Sequence, residues 1–314
     1  MDKPLVKQTS SLIQTEIDPR VQQYRQASLS WETQRALEKN LKKFSHWSKN
    51  KRIPEFPIEP STMESFLAFL AEGGLKAASI EQAKWALDTV HRMAGLPAPG
   101  LTSQVKATLS GIKRTHGSRQ SSKDALTIEH IRLLPFDSSP KSLRNKALLL
   151  LGFAGGFRRS ELAGIQVNDL AFSKGGVQVL LQFSKSDQEG KGEWVHIVPS
   201  HQTPLFCPVK ALESWLGWAN LREGAVFRSI SRQGVLGPSL STVSIGIIIK
   251  QAAQQCGFDP ARFGGHSLRA GCATYLLEQS VPLNMVAKHL RHKRADTTLR
   301  YDRNQTSKAL KGVY

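Results

Sequence analysis

Acidic residues are scarce in this chain. Its 314 residues carry 25 Asp and Glu against 43 Lys and Arg, a formal net charge of +18 at pH 7. A surplus of that size repels itself unless a polyanion neutralises it, so nucleic acid is the favoured partner, with an affinity that falls steeply with salt. Charge alone leaves a solvated basic face, a ribosomal surface or an anionic membrane as alternatives, and no basic amphipathic anchor stands out to favour the last. Cysteine is also rare. Cys207, Cys256 and Cys272 are widely spaced, and none belongs to a Cys-x-x-Cys pair. That argues against a zinc site or a disulfide framework and for free thiols in a reducing compartment. No cluster of Asp, Glu and His marks a metal site, so no metal or cofactor is expected. Long apolar runs are missing too: no stretch approaches the ~20 residues of a membrane span. Met1 to Asp18 is polar and has no signal-peptide core. The expectation is a cytoplasmic protein without a membrane partner.

The length and an apolar content of 40% predict two domains, each able to bury a core. Residues 1–27, with Pro4 and Pro19, read as a loose arm. A helical domain follows over 28–116. Its first helix starts near Ser28 or Ser30 and shows Leu37, Leu41, Phe44 and Trp47 at spacings of three and four. Pro54, Pro57 and Pro60 form a stiff connector. Ser61-Thr-Met-Glu64 and Ser79-Ile-Glu-Gln82 read as capping boxes opening two more helices. A fourth helix, 102–115, places Val105, Leu109 and Ile112 on one side. Lys84, Arg92, Lys106, Lys113 and Arg114 on these helices are candidate DNA contacts, or equally a solvated face. Residues 117–124 form a polar, basic linker. The second domain, 125–314, reads as helices at 127–134, 141–154, 208–219 and 241–255, strands at 177–183 and 194–198 around a glycine-bearing turn, and a short terminal helix at 305–314.

The chemistry-bearing residues gather late. His266-Ser-Leu-Arg269, Leu290-Arg-His292 and Thr297-Thr-Leu-Arg-Tyr301 are separated by the amphipathic run 281–288, and Gly156-Phe-Arg158-Arg-Ser-Glu161-Leu162 lies upstream. Arginine's planar fork matches two phosphate oxygens at once, and a phenol can serve as a covalent nucleophile, so the set suits a phosphodiester. The order Arg, Lys, His-x-x-Arg, His, Tyr, with nine residues from His292 to Tyr301, resembles the tyrosine recombinase (phage integrase) family. The resemblance covers nearly the whole chain. Gly74-Leu-Lys-Ala-Ala-Ser-Ile and His91-Arg-Met-Ala-Gly-Leu-Pro97 look most like that family's Cre branch.

The resemblance implies a mostly α protein with a small β-sheet: a helical N-terminal core-binding domain and an α+β catalytic domain that together clamp DNA. It implies site-specific cleavage and rejoining through a 3′-phosphotyrosine and a Holliday junction, without metal or ATP. The protein would act on the nucleoid as a dimer on each site and a tetramer in the synapse, with 305–314 docking on a neighbour. Arg158 and Arg269 would grip the non-bridging oxygens; the Gly-x-Arg-x-x-Glu-Leu pattern selects Arg158 over Arg159. Tyr301 would be the nucleophile, His266 a proton acceptor or phosphate ligand, and His292 a hydrogen-bond donor to a phosphoryl oxygen. Lys185, in Phe183-Ser-Lys-Ser-Asp, is the candidate general acid, with Lys191 in Gly190-Lys-Gly192 as the alternative. His289 lacks the offset to Tyr301. Arg291 stands where the family often has glycine, and is expected to alter the turn's approach to DNA or to touch a phosphate. The rivals are a type IB topoisomerase, with a similar residue set, and a DNA-binding protein with a decayed site. The helical N-terminal domain and His-x-x-Arg favour the recombinase over the first, and the intact six residues argue against the second.

Overall fold

The computed structural model describes Arg20, Tyr24 and residues 28–118, 123–182, 192–292 and 294–302. The rest of the expected arm over 1–27, both Lys185 and Lys191, and the segment 305–314 lie outside the described residues. The chain divides into two compact units, Met1–Ser121 and Ser122–Tyr314.

The first unit holds α1 (Trp31–Lys51), α2 (Pro60–Glu72), α3 (Ala77–Met93) and α4 (Ser103–His116). Ser30 caps α1 by accepting the Thr33 amide at 3.3 Å. The expected stripe Leu37, Leu41, Phe44 and Trp47 is buried against Phe66 and Leu67 of α2, Ile80 and Leu87 of α3 and Val105 of α4. Two expected capping boxes do not form. Pro60 occupies the first turn of α2, where its fixed φ and missing N–H suit the position, so Ser61 falls inside the helix. In α3 the helix-favouring Ala77-Ala78 extends the helix back to Lys76 and places Ser79 within it. The buried interior carries one histidine in a defined state. The Ile58 amide donates to His91 Nε2 at 3.0 Å, so Nδ1 keeps the proton and faces the Pro97 carbonyl at 3.0 Å.

In the second unit, α6 (Pro140–Ala154) is the central helix. Ala147 to Leu151 and Phe153 are all buried, as befits a helix covered on several sides, by α8 (Pro208–Ala219) and α10 (Ser267–Glu278) among others. The short α5 (Ile128–Arg132) precedes it and α7 (Arg159–Gly164) follows. Three antiparallel strands, β1 (Leu170–Ser173), β2 (Gly176–Leu181) and β3 (Glu193–Ile197), form a sheet in that order. Val177 lies opposite Ile197 and Val179 opposite Val195, all four facing the core. A separate hairpin joins β4 (Arg228–Ile230) to β5 (Leu236–Ser239). Then come α9 (Thr242–Gln255), capped by Ser241, and after α10 the short helices α11 (Leu283–His289) and α12 (Ala295–Leu299).

Helix α10 is seated by one close approach. The Leu126 amide donates to the Ser267 carbonyl at 2.9 Å, and a Cβ at Gly271 would stand 2.0 Å from the Leu126 carbonyl oxygen. The obstacle is backbone, which cannot rotate away. Gly271→Ala should therefore cost about 1–3 kcal/mol in urea unfolding. Gly217→Ala in α8, which meets nothing within 4 Å, should be neutral or stabilise by up to about 1 kcal/mol. Equal midpoints for the two variants would contradict this packing.

Candidate active site

The site begins where α6 ends. Gly155 closes the helix and Gly156 takes φ of 54°, a conformation that side chains rarely adopt. A Cβ at Gly156 would also stand 2.4 Å from Leu290 Cδ2, so any larger residue there would have to displace the Leu290 side chain. Phe157 is fully buried and anchors the turn. Arg158 then enters as the N-cap of α7 in extended backbone. Glu161, three residues on, reaches back: its Oε2 accepts the Arg158 amide at 2.8 Å, and its Oε1 accepts Arg158 Nη1. Arg158 and Glu161 thus form an ion pair in which the carboxylate is buried.

His266 is exposed at the N-cap of α10, and Arg269 lies one turn further on, buried. Arg269 Nη1 donates to the Gly156 carbonyl at 2.7 Å and Nη2 donates to the Leu290 carbonyl. These bonds tie α10 to both the Arg158 turn and the end of α11. His292 follows α11, with Nδ1 2.7 Å from Thr298 Oγ1. Its ring runs nearly parallel to that of Tyr301, with centroids 6.1 Å apart. Tyr301 is partly buried at the end of α12, its amide donating to the Thr298 carbonyl at 3.0 Å.

Charge binds these groups into one cluster. Burial, then repulsion from Arg158 and Arg291, lowers Arg269 to about 10, partly offset by Glu161 and Tyr301. It remains a cation at neutral pH. Burial, then Arg269, Arg158 and Arg291, pushes His292 down to about 4, so that ring is neutral at pH 7. Burial would raise Glu161, but Arg291, the Arg158 amide and the Arg158 charge more than reverse it and hold the carboxylate below its usual range. Three cations with one buried carboxylate, a neutral imidazole and a phenol can bind a phosphate anion and stabilise added negative charge on it. Among the described residues, no group of three or more His, Cys, Asp or Glu side chains is placed to hold a metal ion.

Arg158, Arg269, His292 and Tyr301 are brought together; His266 is exposed at the N-cap of the helix that carries Arg269. Arg291 departs from expectation. It does not reach outward: its side chain is buried, and Nη1 donates to the Gly155 and His289 carbonyls at 3.0 and 2.9 Å. Its Nη2 donates to Gly156 O at 3.2 Å and Glu161 Oε2 at 3.1 Å. The reason is local: φ of 58° at Arg291 turns it toward the carbonyls that the α6 turn leaves open. His289 is held on the Ala154 carbonyl at 2.9 Å, a structural post. Thr298 is fully buried beside His292 and supports its ring, a contact that no motif in the sequence marks.

The candidate DNA contacts on the first unit differ among themselves. Lys84 is held by Asp88 at 2.7 Å with its side chain 17% exposed, which removes most of it from any surface ligand. Lys113 pairs with Glu81, and the exposed Arg92 donates to Thr89 at 2.9 Å. Lys106 and Arg114 are exposed.

A model described as the phage integrase family matches residues 126–308. An integrase/recombinase xerD homolog of Selenomonas ruminantium is 36% identical over 265 residues, 82% of this chain and 77% of that protein. The recombinase cre of Escherichia phage P1 is 25% identical over 282 residues, 83% of this chain and 80% of its own, so the xerD homolog shares more of the sequence than cre does. Among solved structures, a lambda integrase dimer bound to a COC′ core site superposes with a TM-score of 0.57 at 17% identity, over 96% of this chain and 81% of that one. XerH site-specific recombinase, in a post-cleavage complex with a palindromic difH substrate, gives a TM-score of 0.58 at 17% identity, over 81% of this chain and 72% of that one. Those two likenesses speak for the fold, a mostly helical chain with small antiparallel sheets.

Proposed function

The chain belongs to the phage integrase family of tyrosine recombinases, and from that premise we propose that it cuts and rejoins DNA at a specific site through a covalent link to Tyr301. The observation that carries this reading is the cluster in which Arg158, Arg269, His292 and Tyr301 act on one another electrostatically and by contact.

The Tyr301 oxygen attacks phosphorus, a P–O bond to Tyr301 forms, and the bond to the 5′-oxygen breaks. The DNA is left with a 3′-phosphotyrosine and a free 5′-hydroxyl. The ester conserves the bond energy, so the reverse attack by a 5′-hydroxyl needs no ATP. The phenolic proton passes to His266, and the leaving 5′-oxygen takes one from Lys185 or Lys191. Arg158 and Arg269 carry the charge of the five-coordinate transition state. A neutral His292 supports it from Nε2–H when the Thr298 hydroxyl donates to Nδ1, because that tautomer leaves the proton on the outward nitrogen. Recombination then takes two protomers on each of two duplexes, one strand exchange forming a Holliday junction and a second resolving it. DNA in the cytoplasm, as nucleoid, is the partner. The basic surface, including Lys106 and Arg114, neutralises its backbone.

The test is to footprint the protein on its own genomic neighbourhood, then to offer the protected site as a nicked substrate whose cleaved fragment diffuses away. A covalent protein–DNA band on a denaturing gel, with the protein on the 3′ phosphate, is the expected result. Absence of that band on every bound site would leave only a DNA-binding protein. The same substrate separates the two lysines. Lys185→Ala should slow cleavage by about 10²–10⁴-fold. Sulfur in place of the bridging 5′-oxygen should restore the rate, because a thiolate leaves without a proton. If Lys191→Ala shows that pattern instead, the acid is Lys191.

A further inference from the structure

We propose that Arg291 is a positioning residue that neutralises the far side of Glu161 and so leaves the charge of Arg158 available to the phosphate. This rests on the recombinase reading given above.

Glu161 is 2% exposed at its side chain and faces two guanidinium groups. Oε1 takes Arg158 Nη1, and Oε2 takes the Arg158 amide and Arg291 Nη2. With Arg158 alone, the buried carboxylate would cancel the cation that must hold substrate. Adding Arg291 changes the sum. Arg158, Glu161 and Arg291 together carry one net positive charge, and Arg269 brings the cluster to two. A phosphodiester carries one negative charge and its five-coordinate transition state two, so the cluster with Arg291 matches the transition state. Among the described residues no hydrogen bond engages Arg158 Nε or Nη2, which leaves that edge of the fork for oxygens.

Arg291 itself cannot be the phosphate ligand. It is 7% exposed, its guanidinium lies 5.3 Å from the Phe157 ring centroid, and its Nη atoms are held by three carbonyls and Glu161. It also couples two arms of the site, since the Gly156 carbonyl accepts from both Arg269 and Arg291. The backbone at 291, with φ of 58°, would suit glycine better. An arginine held there against its own preference, with a buried Nε that has no partner, is there for what its cationic end does.

The experiment measures single-turnover adduct formation on the nicked substrate, beside noncovalent binding by mobility shift and thermal unfolding. Arg291→Met and Arg291→Gly should each slow adduct formation by about 10²-fold while DNA affinity stays within twofold. The glycine variant suits the left-handed backbone and decides the matter if the methionine variant does not fold. Arg291→Lys, which keeps the charge, should recover most of the rate. The double variant Glu161→Gln with Arg291→Gly should cleave faster than Arg291→Gly alone, because the carboxylate no longer competes for Arg158. A purely structural role would predict no such recovery. Wild-type cleavage by Arg291→Gly, or a double variant as slow as it, overturns the proposal. No adduct from the wild-type protein overturns the recombinase reading itself, and this proposal with it.

Discussion

Tyr301→Phe should abolish the covalent adduct and leave DNA binding as it was. The phenylalanine ring keeps the packing that Tyr301 makes against the core and beside His292. What disappears is one hydroxyl, the atom proposed to attack phosphorus. Removing a nucleophile outright costs on the order of 10⁵–10⁶-fold in rate, which puts the adduct below detection on a gel. Stability should move by no more than about 0.5 kcal/mol, because the ring is only partly buried and no core contact changes. Mobility-shift affinity should follow the wild type, since binding draws on the basic surface. An adduct that persists would assign the nucleophile to one of the other three tyrosines, Tyr24, Tyr275 or Tyr314, and peptide mapping would say which.

Arg269→Ala should damage both chemistry and fold, and the two losses can be read separately. Arg269 is 3% exposed, and its guanidinium donates to two carbonyls, Gly156 and Leu290. Truncation leaves the Gly156 carbonyl to Arg291 alone and takes the donor from the Leu290 carbonyl, a loss of about 1–3 kcal/mol for a buried group left unsatisfied. Unfolding of the second unit should therefore move to lower denaturant. Adduct formation should fall by at least about 10³-fold, since a transition-state charge partner is gone. Arg269→Lys separates the two roles. A lysine keeps the charge but has no planar fork to serve two carbonyls and a phosphate together. It should regain part of the stability and little of the rate. Full cleavage by the lysine variant would mean that charge alone, and not the fork, is what the site needs from residue 269.

The parts of the fold that sequence made legible are those where local signals agree. The 3.6-residue stripe of α1 and its Ser30 cap, the Pro208–Ala219 helix opened by proline, and α9 behind Ser241 all form where pattern and cap coincide. Short strands are different. In β1 three of the four residues are exposed, so no alternation marks it, and its register comes from β2. β5 is Leu-Gly-Pro-Ser, a composition that reads as a turn and is tolerated in a two-stranded hairpin. The residues of the site were legible because their types and order are chemically distinctive. Their supports were not. Whether Arg291 points to solvent or inward depends on one backbone angle, and whether Thr298 meets His292 depends on how α12 folds back. Neither is written in a residue type.

The carbonyl oxygen of Gly156 accepts from two guanidinium groups that reach it from different segments of the chain. One peptide unit thus serves as a shared mooring. A crankshaft rotation of that single amide would take one hydrogen bond from residues 269 and 291 at once, in the absence of any change to either side chain. Variants that disturb the end of α6 would then loosen both guanidinium groups of the candidate site together, although they alter neither side chain.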